Sequence, residues 1–143
     1  MDAFDADVLI YAAVAGHATG RRVRALFPIE PLNDPRTRAG CGSVLLVPEL
    51  LTKPLRDGTA DEVAELSSLL GRLDLLPADL ATAELATALG AAYSLRAADA
   101  IHLATAVGAG ADRFVTNNQR DFPKSISEID ITYPGDLPDP GVD

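Results

Sequence analysis

The sequence predicts an α/β fold: a mostly parallel sheet with helices on both faces, joined by right-handed crossovers. Two observations carry this. Short apolar runs alternate along the chain with longer stretches whose apolar residues recur at helical spacing, and clusters of glycine and proline separate them. At 143 residues the chain has the length of one domain built on one core.

Residues 4–11 read as a short buried strand running into a helix, because Val8, Leu9 and Ile10 form the continuous apolar run of a strand covered on both faces. Residues 12–26 are alanine-rich and continue into Phe27, with Val23, Leu26 and Phe27 at helical spacing and Gly16 and Gly20 as weak points. Pro28, Pro31, Asn33, Asp34, Pro35, Gly40 and Gly42 make 28–42 a loop. Residues 43–47 form the next strand. Pro48 suits the first turn of a helix, so Glu49 stands where strand gives way to helix. Val63, Leu66, Leu69 and Leu70 mark a helix over 61–70, and 72–76 is a strand closed by Pro77. Residues 80–93 make an alanine-rich helix. A further helix over 98–107 offers Ile101, Leu103, Ala104 and Val107 to the core, which puts Asp99 in its first turn. Residues 113–116 form a strand feeding the polar turn 117–121, and 129–133 a last edge strand ended by Pro134. The domain is expected over 1–133, with the acidic, Pro- and Gly-rich 134–143 as a linker-like tail.

Composition excludes several classes. Hydrophobic residues at 48% and charged residues at 23% describe a globule and not a disordered chain. No apolar run approaches the ~20 residues of a membrane helix. Asp2, Asp5 and Asp7 stand where an export signal carries lysine or arginine, so a cytoplasmic protein without membrane contact is expected. Cys41, the single cysteine, has no disulfide partner and cannot build a thiolate cage, so any metal is held by oxygen. The net charge of −9 weighs against passive nucleic-acid binding. Arg21, Arg22, Arg24, Arg36 and Arg38 are nonetheless concentrated in one stretch, either as solvated surface positions or as a strip that meets phosphate.

In open α/β sheets the ligand crevice lies beyond the carboxyl ends of the strands. Asp5, Asp7, Glu49, Asp99, Asn118 and Asp121 all fall in or just after strands, or in the first turn of a helix, on four separated segments. Gathered there, carboxylates repel one another and carry raised pKa values unless a cation keeps them ionised. Mg²⁺ or Mn²⁺ suits such an oxygen donor set and supports hydrolysis of phosphodiesters. Asp99 alone is equally a helix first-turn acid favoured by the dipole. Asp5, set against a buried apolar run, needs a partner to be tolerated.

Four stretches together resemble a known family: Phe4-Asp5-Ala6-Asp7-Val8-Leu9-Ile10-Tyr11, Val44-Leu45-Leu46-Val47-Pro48-Glu49-Leu50, Ala98-Asp99-Ala100-Ile101-His102-Leu103-Ala104-Thr105-Ala106 and Phe114-Val115-Thr116-Asn117-Asn118-Gln119-Arg120-Asp121-Phe122. In that order and at those separations the chain is similar to the PIN-domain nucleases, in particular the VapC-type bacterial toxins. The resemblance implies a three-layer α/β/α PIN-like fold and metal-dependent endonucleolytic cleavage of RNA that leaves 5′-phosphate and 3′-hydroxyl ends. It makes Asp5, Glu49 and Asp99 the carboxylates that bind Mg²⁺ or Mn²⁺, and Thr116 the strand-end hydroxyl that orients neighbouring acids. The fourth family carboxylate position is Asn118 here, so a second ion depends on Asp121 or on substrate phosphate. Asp7 replaces a small polar residue and adds an outer acceptor. His102 is implied to pack or to hold a hydrogen bond, not to act as a general base. A cognate antitoxin with a basic segment, a homodimer, and RNA approach along Arg21, Arg22, Arg24, Arg36 and Arg38 complete what the resemblance implies.

Two other readings remain at this point. Asp5-Ala6-Asp7 with Val115-Thr116-Asn117 echoes a haloacid-dehalogenase-like phosphohydrolase, although the apolar run follows Asp5 where that family has it precede, and Lys124 is the only lysine beyond Thr116. A PIN-like binding module, its site weakened by Asn118, would act by holding a partner protein.

Overall fold

A computed structural model describes residues 1–27 and 38–141. In chain order these form β1 (Asp2–Phe4), α1 (Ala6–Ala12), α2 (Ala18–Arg24), β2 (Gly40–Ser43), α3 (Leu46–Asp57), α4 (Ala60–Leu70), β3 (Leu73–Leu76), α5 (Leu80–Tyr93), α6 (Ala97–Gly108), β4 (Arg113–Val115) and β5 (Asp130–Thr132). The five strands are ordered β3-β2-β1-β4-β5 and every pairing is parallel. The chain therefore winds outward from β1 to one edge, then returns to pair β4 on the other side. The switch point lies between β1 and β4, where an α/β sheet opens its crevice.

Strand alternation builds two cores. Phe4 and Val115 face a layer formed with Val8, Leu9, Val23, Leu46, Leu50, Leu66 and Leu70, contributed by α1 to α4. Their neighbours Ala3 and Phe114 face the opposite layer with Leu89, Leu103, Phe122 and Ile131, centred on α5 and α6. Three layers result, α/β/α, as the sequence predicts.

Several boundaries differ from the sequence-based expectation. The apolar run in 4–11 belongs to a helix: β1 ends at Phe4, and Val8 and Leu9 are fully buried on α1. Because the exposed position of this short helix is itself apolar, Ile10, the run is as uninterrupted as that of a buried strand, and Asp5 is the residue between strand and helix and not a strand-interior acid. Of the helix expected over 12–26, Ala12 is the end of α1 and only Ala18–Arg24 forms α2, after a break at 13–17. Their close approach needs Gly20, where a Cβ would stand 2.0 Å from the Tyr11 carbonyl oxygen. The strand expected over 43–47 lies earlier, at Gly40–Ser43, and α3 has begun by Leu46. Gly40 looked like a loop breaker, but a side chain there would meet the Asp2 carbonyl at 2.0 Å, so glycine is what lets this strand pair so tightly. Residues 134–141 are not a free linker. Leu137 is 2% exposed, its carbonyl accepts from Arg22 Nη1 at 2.6 Å, and Asp139 pairs with Arg21 at 3.1 Å, which ties the segment to α2. Among the described residues no helix is long and apolar enough to cross a membrane.

Candidate functional site

The carboxyl edge of the sheet gathers the acids. The Asp5 backbone N–H still donates to the Val115 carbonyl at 2.9 Å, as a strand residue would, and the chain then turns into α1 with Asp5 as its N-cap. Both oxygens of its side chain are anchored: Oδ1 accepts from the Ala6 N–H at 2.9 Å and Oδ2 accepts from the Thr116 hydroxyl at 2.8 Å, which leaves each a second lone pair. Thr116 is the residue after β4, so this bond closes the switch point between β1 and β4. The Thr116 oxygen in turn accepts from the Asn118 N–H at 3.1 Å. Both oxygens of Asp7 accept from the Asn117 N–H at 3.2 Å, clamping the 117–121 turn to the first turn of α1.

Asp99 stands in the first turn of α6 and Glu49 in the first turn of α3. Helix α3 is set by Ser43, whose hydroxyl accepts from the Leu45 N–H at 3.1 Å. Glu49 Oε1 lies 2.8 Å from His102 Nε2, one turn past Asp99 on α6. Asn118 bonds within its own turn: Nδ2 donates to Asp121 Oδ2 at 2.9 Å, and Oδ1 accepts from the Asp121 N–H at 3.2 Å. The neutral amide thus holds Asp121 in place, and its oxygen brings no charge to the cluster.

Mutual repulsion is visible in the acidities. Burial pushes the Asp5 carboxyl up, and the Thr116 hydrogen bond only partly offsets it. Asp7 is pushed up to about 6 by burial and then by the charge of Asp5. Asp99 is raised by burial, then by Asp5 and Asp121. These groups therefore share one field in which each carboxylate disfavours the ionisation of the others. The donor set is oxygen throughout, and Cys41 is buried with its thiol pushed up to about 11, which removes it as a ligand. Among the described residues no three His, Cys, Asp or Glu side chains are arranged to chelate one ion directly. A hard divalent cation that keeps several waters and takes only one or two carboxylates would fit such a site.

The structure brings Asp5, Asp7, Glu49, Asp99, Thr116, Asn118 and Asp121 to this edge through hydrogen bonds and mutual charge effects. It does not bring Arg21, Arg22, Arg24 or Arg38. Arg38 Nη1 donates to the Leu73 carbonyl at 2.8 Å, at the amino edge of the sheet and so opposite the acids. Arg21 and Arg22 hold the 134–141 segment, while Arg24 donates to the Ala12 carbonyl and lies 3.8 Å from Glu65. Arg36 lies outside the described residues. The helical spacing of Asp99 and His102 signals a shared face, but nothing in the sequence signals that Glu49 meets His102.

The sequence matches the PIN domain family over residues 3–125. No curated protein matches the chain. Among solved structures, one described as a toxin-antitoxin complex from Klebsiella pneumoniae is similar with a TM-score of 0.73 at 21% identity, covering 94% of this chain and 98% of that one. At that identity the likeness concerns the fold.

Proposed function

This chain belongs to the PIN domain family, and from that premise we propose that it is a Mg²⁺- or Mn²⁺-dependent endoribonuclease and the toxin of a toxin–antitoxin pair. The observation that carries the nuclease reading is the set of buried, mutually repelling carboxyls of Asp5, Asp7 and Asp99 at the switch point, whose raised pKa values a divalent cation would bring down. Bound there, the cation supplies charge neutralisation for a phosphodiester and eases ionisation of a water. Asp5, Asp99 and Glu49 are the residues that would hold it, no more than two of them directly and the rest through its waters. Thr116 keeps Asp5 in one orientation, and Asp7 fixes the neighbouring turn. Asn118 contributes no charge and is bonded to Asp121, so a second ion would rest on Asp121 or on substrate phosphate.

RNA is the substrate in this reading, and the partner is an antitoxin with a basic segment, drawn to a chain of net charge −9. That the similar Klebsiella pneumoniae structure is a toxin-antitoxin complex supports the partner. A homodimer in the cytoplasm completes the proposal.

Purified protein incubated with structured RNA and Mn²⁺ is expected to cleave it, EDTA to abolish cleavage, and Asp99→Asn to reduce it about 100-fold or more, the scale of losing an electrostatic stabiliser. The neutral Asn118 favours one alternative, a PIN-like binding module. RNA left intact by a protein that still captures a basic antitoxin segment would establish that alternative. Phosphate released from a small phosphomonoester, with RNA untouched, would point to dehalogenase-like chemistry.

A further inference from the structure

We propose that His102 is a positioning residue for Glu49, holding that carboxylate toward the acidic cluster through a hydrogen bond that joins the two helical layers across the carboxyl edge of the sheet. The inference rests on the metal-dependent reading of the site.

Helix α3 packs on one face of the sheet, through Leu46 and Leu50, and α6 on the other, through Leu103 and Ala104. Glu49 and His102 nonetheless meet at 2.8 Å. The Glu49 side chain is 37% exposed and would otherwise sample many rotamers, whereas the His102 ring is 1% exposed and fixed by its surroundings. An ionised carboxylate only accepts, so Nε2 must carry the proton. In the neutral ring Nδ1 is then a bare lone pair, and it is buried with no partner among the described residues. The opposite tautomer would set two acceptors face to face and bury an orphan N–H, which is worse. An unpaired buried nitrogen is a net loss to stability. Leucine would fill the same space without it, so packing alone does not account for an imidazole here. What the ring supplies is the Nε2–H. Carboxylates that ligate metals hold them best when an outer hydrogen bond fixes their orientation. With Asp99 three residues earlier, α6 would then deliver one carboxylate directly and steady a second.

The test uses His102→Leu, His102→Gln, Glu49→Gln and the double variant His102→Leu/Glu49→Gln. Mn²⁺ affinity is measured by calorimetry, RNA cleavage by kinetics, and the ring tautomer by ¹⁵N NMR on the metal-free wild type. The Nε2–H tautomer is expected. His102→Leu should fold with undiminished Tm and bind Mn²⁺ about 10-fold more weakly, the usual effect of removing an outer hydrogen bond. His102→Gln, which keeps a donor near Nε2, should recover part of that affinity. In the Glu49→Gln background the leucine change should have no further effect. For RNA, kcat should fall with KM unchanged. Wild-type affinity in folded His102→Leu, multiplicative losses in the double variant, or an Nδ1–H ring would overturn the assignment. If His102→Leu does not fold, the glutamine variant and the tautomer decide. A protein that binds Mn²⁺ with this dependence yet leaves RNA intact would sink the nuclease reading and leave the positioning role standing; absence of Mn²⁺ binding would sink both.

Discussion

Asp5 is buried to 6% exposure, hydrogen-bonded through both oxygens, and still raised in pKa by its burial. Its charge is a cost to the metal-free fold. Asp5→Asn should therefore raise Tm by a few degrees while abolishing RNA cleavage, the trade between stability and activity expected of a strained site. An amide oxygen can still accept from Ala6, so capping survives. The same logic sets a pH dependence. Carboxyls raised in the native state, Asp7 to about 6, bind more protons folded than unfolded once the pH falls below neutral. Stability of the metal-free protein should then increase as pH falls through about 6 toward the ordinary carboxylate range. Below it, Asp79, Asp112, Asp136 and Asp139, all lowered by hydrogen bonds, pull the other way. Saturating Mn²⁺ favours the ionised forms and should flatten the rise. Thermal melts across pH with EDTA or Mn²⁺ check both statements; a metal-free Tm that falls steadily from neutral to pH 5 contradicts them.

The contact between α1 and α2 depends on the absence of one side chain. A Cβ at Gly20 would sit 2.0 Å from the Tyr11 carbonyl oxygen, and neither partner is the end of a flexible group. Gly20→Ala should destabilise the protein by roughly 2 kcal/mol or more in urea unfolding, as overpacking does. Gly135→Ala, where a Cβ meets open space, is the control expected to change little. Element type was legible where periodicity and punctuation agreed: Leu80–Tyr93 and Leu73–Leu76 match the sequence reading closely. It failed where a glycine serves close packing instead of a turn, as at Gly40, and where the solvent-facing position of a short helix is itself apolar, as at Ile10 of α1. Neither distinction is local. What covers each face decides it.

The arginines and the 134–141 segment act at the scale of the whole molecule. Leu137 anchors the segment in the α1 to α4 core, with Arg21 and Arg22 bracketing it through Asp139 and the Leu137 carbonyl. Leu137→Ala should cost about 2–4 kcal/mol, in the usual range for emptying a core position. Arg21→Ala should lower Tm and leave RNA cleavage at a given Mn²⁺ concentration unchanged, because its guanidinium is engaged with Asp139. A selective loss of RNA affinity in Arg21→Ala, with Tm intact, would restore the basic strip to a role in substrate approach.

From its sequence alone this chain determined an alternating α/β order, an all-oxygen donor set and the candidate acids Asp5, Glu49, Asp99 and Asp121, because residue type and spacing are local properties. Tertiary structure alone decided that Asp5 meets Thr116 across the switch point, that Glu49 meets His102 between opposite layers, that Asn118 is taken up by Asp121, and that Arg21, Arg22, Arg24 and Arg38 bind the chain itself. The reason is physical. Charge and hydrogen-bonding capacity are carried by each residue, but their partners are set by which strands neighbour one another, and that order, β3-β2-β1-β4-β5, is not a property of any single stretch.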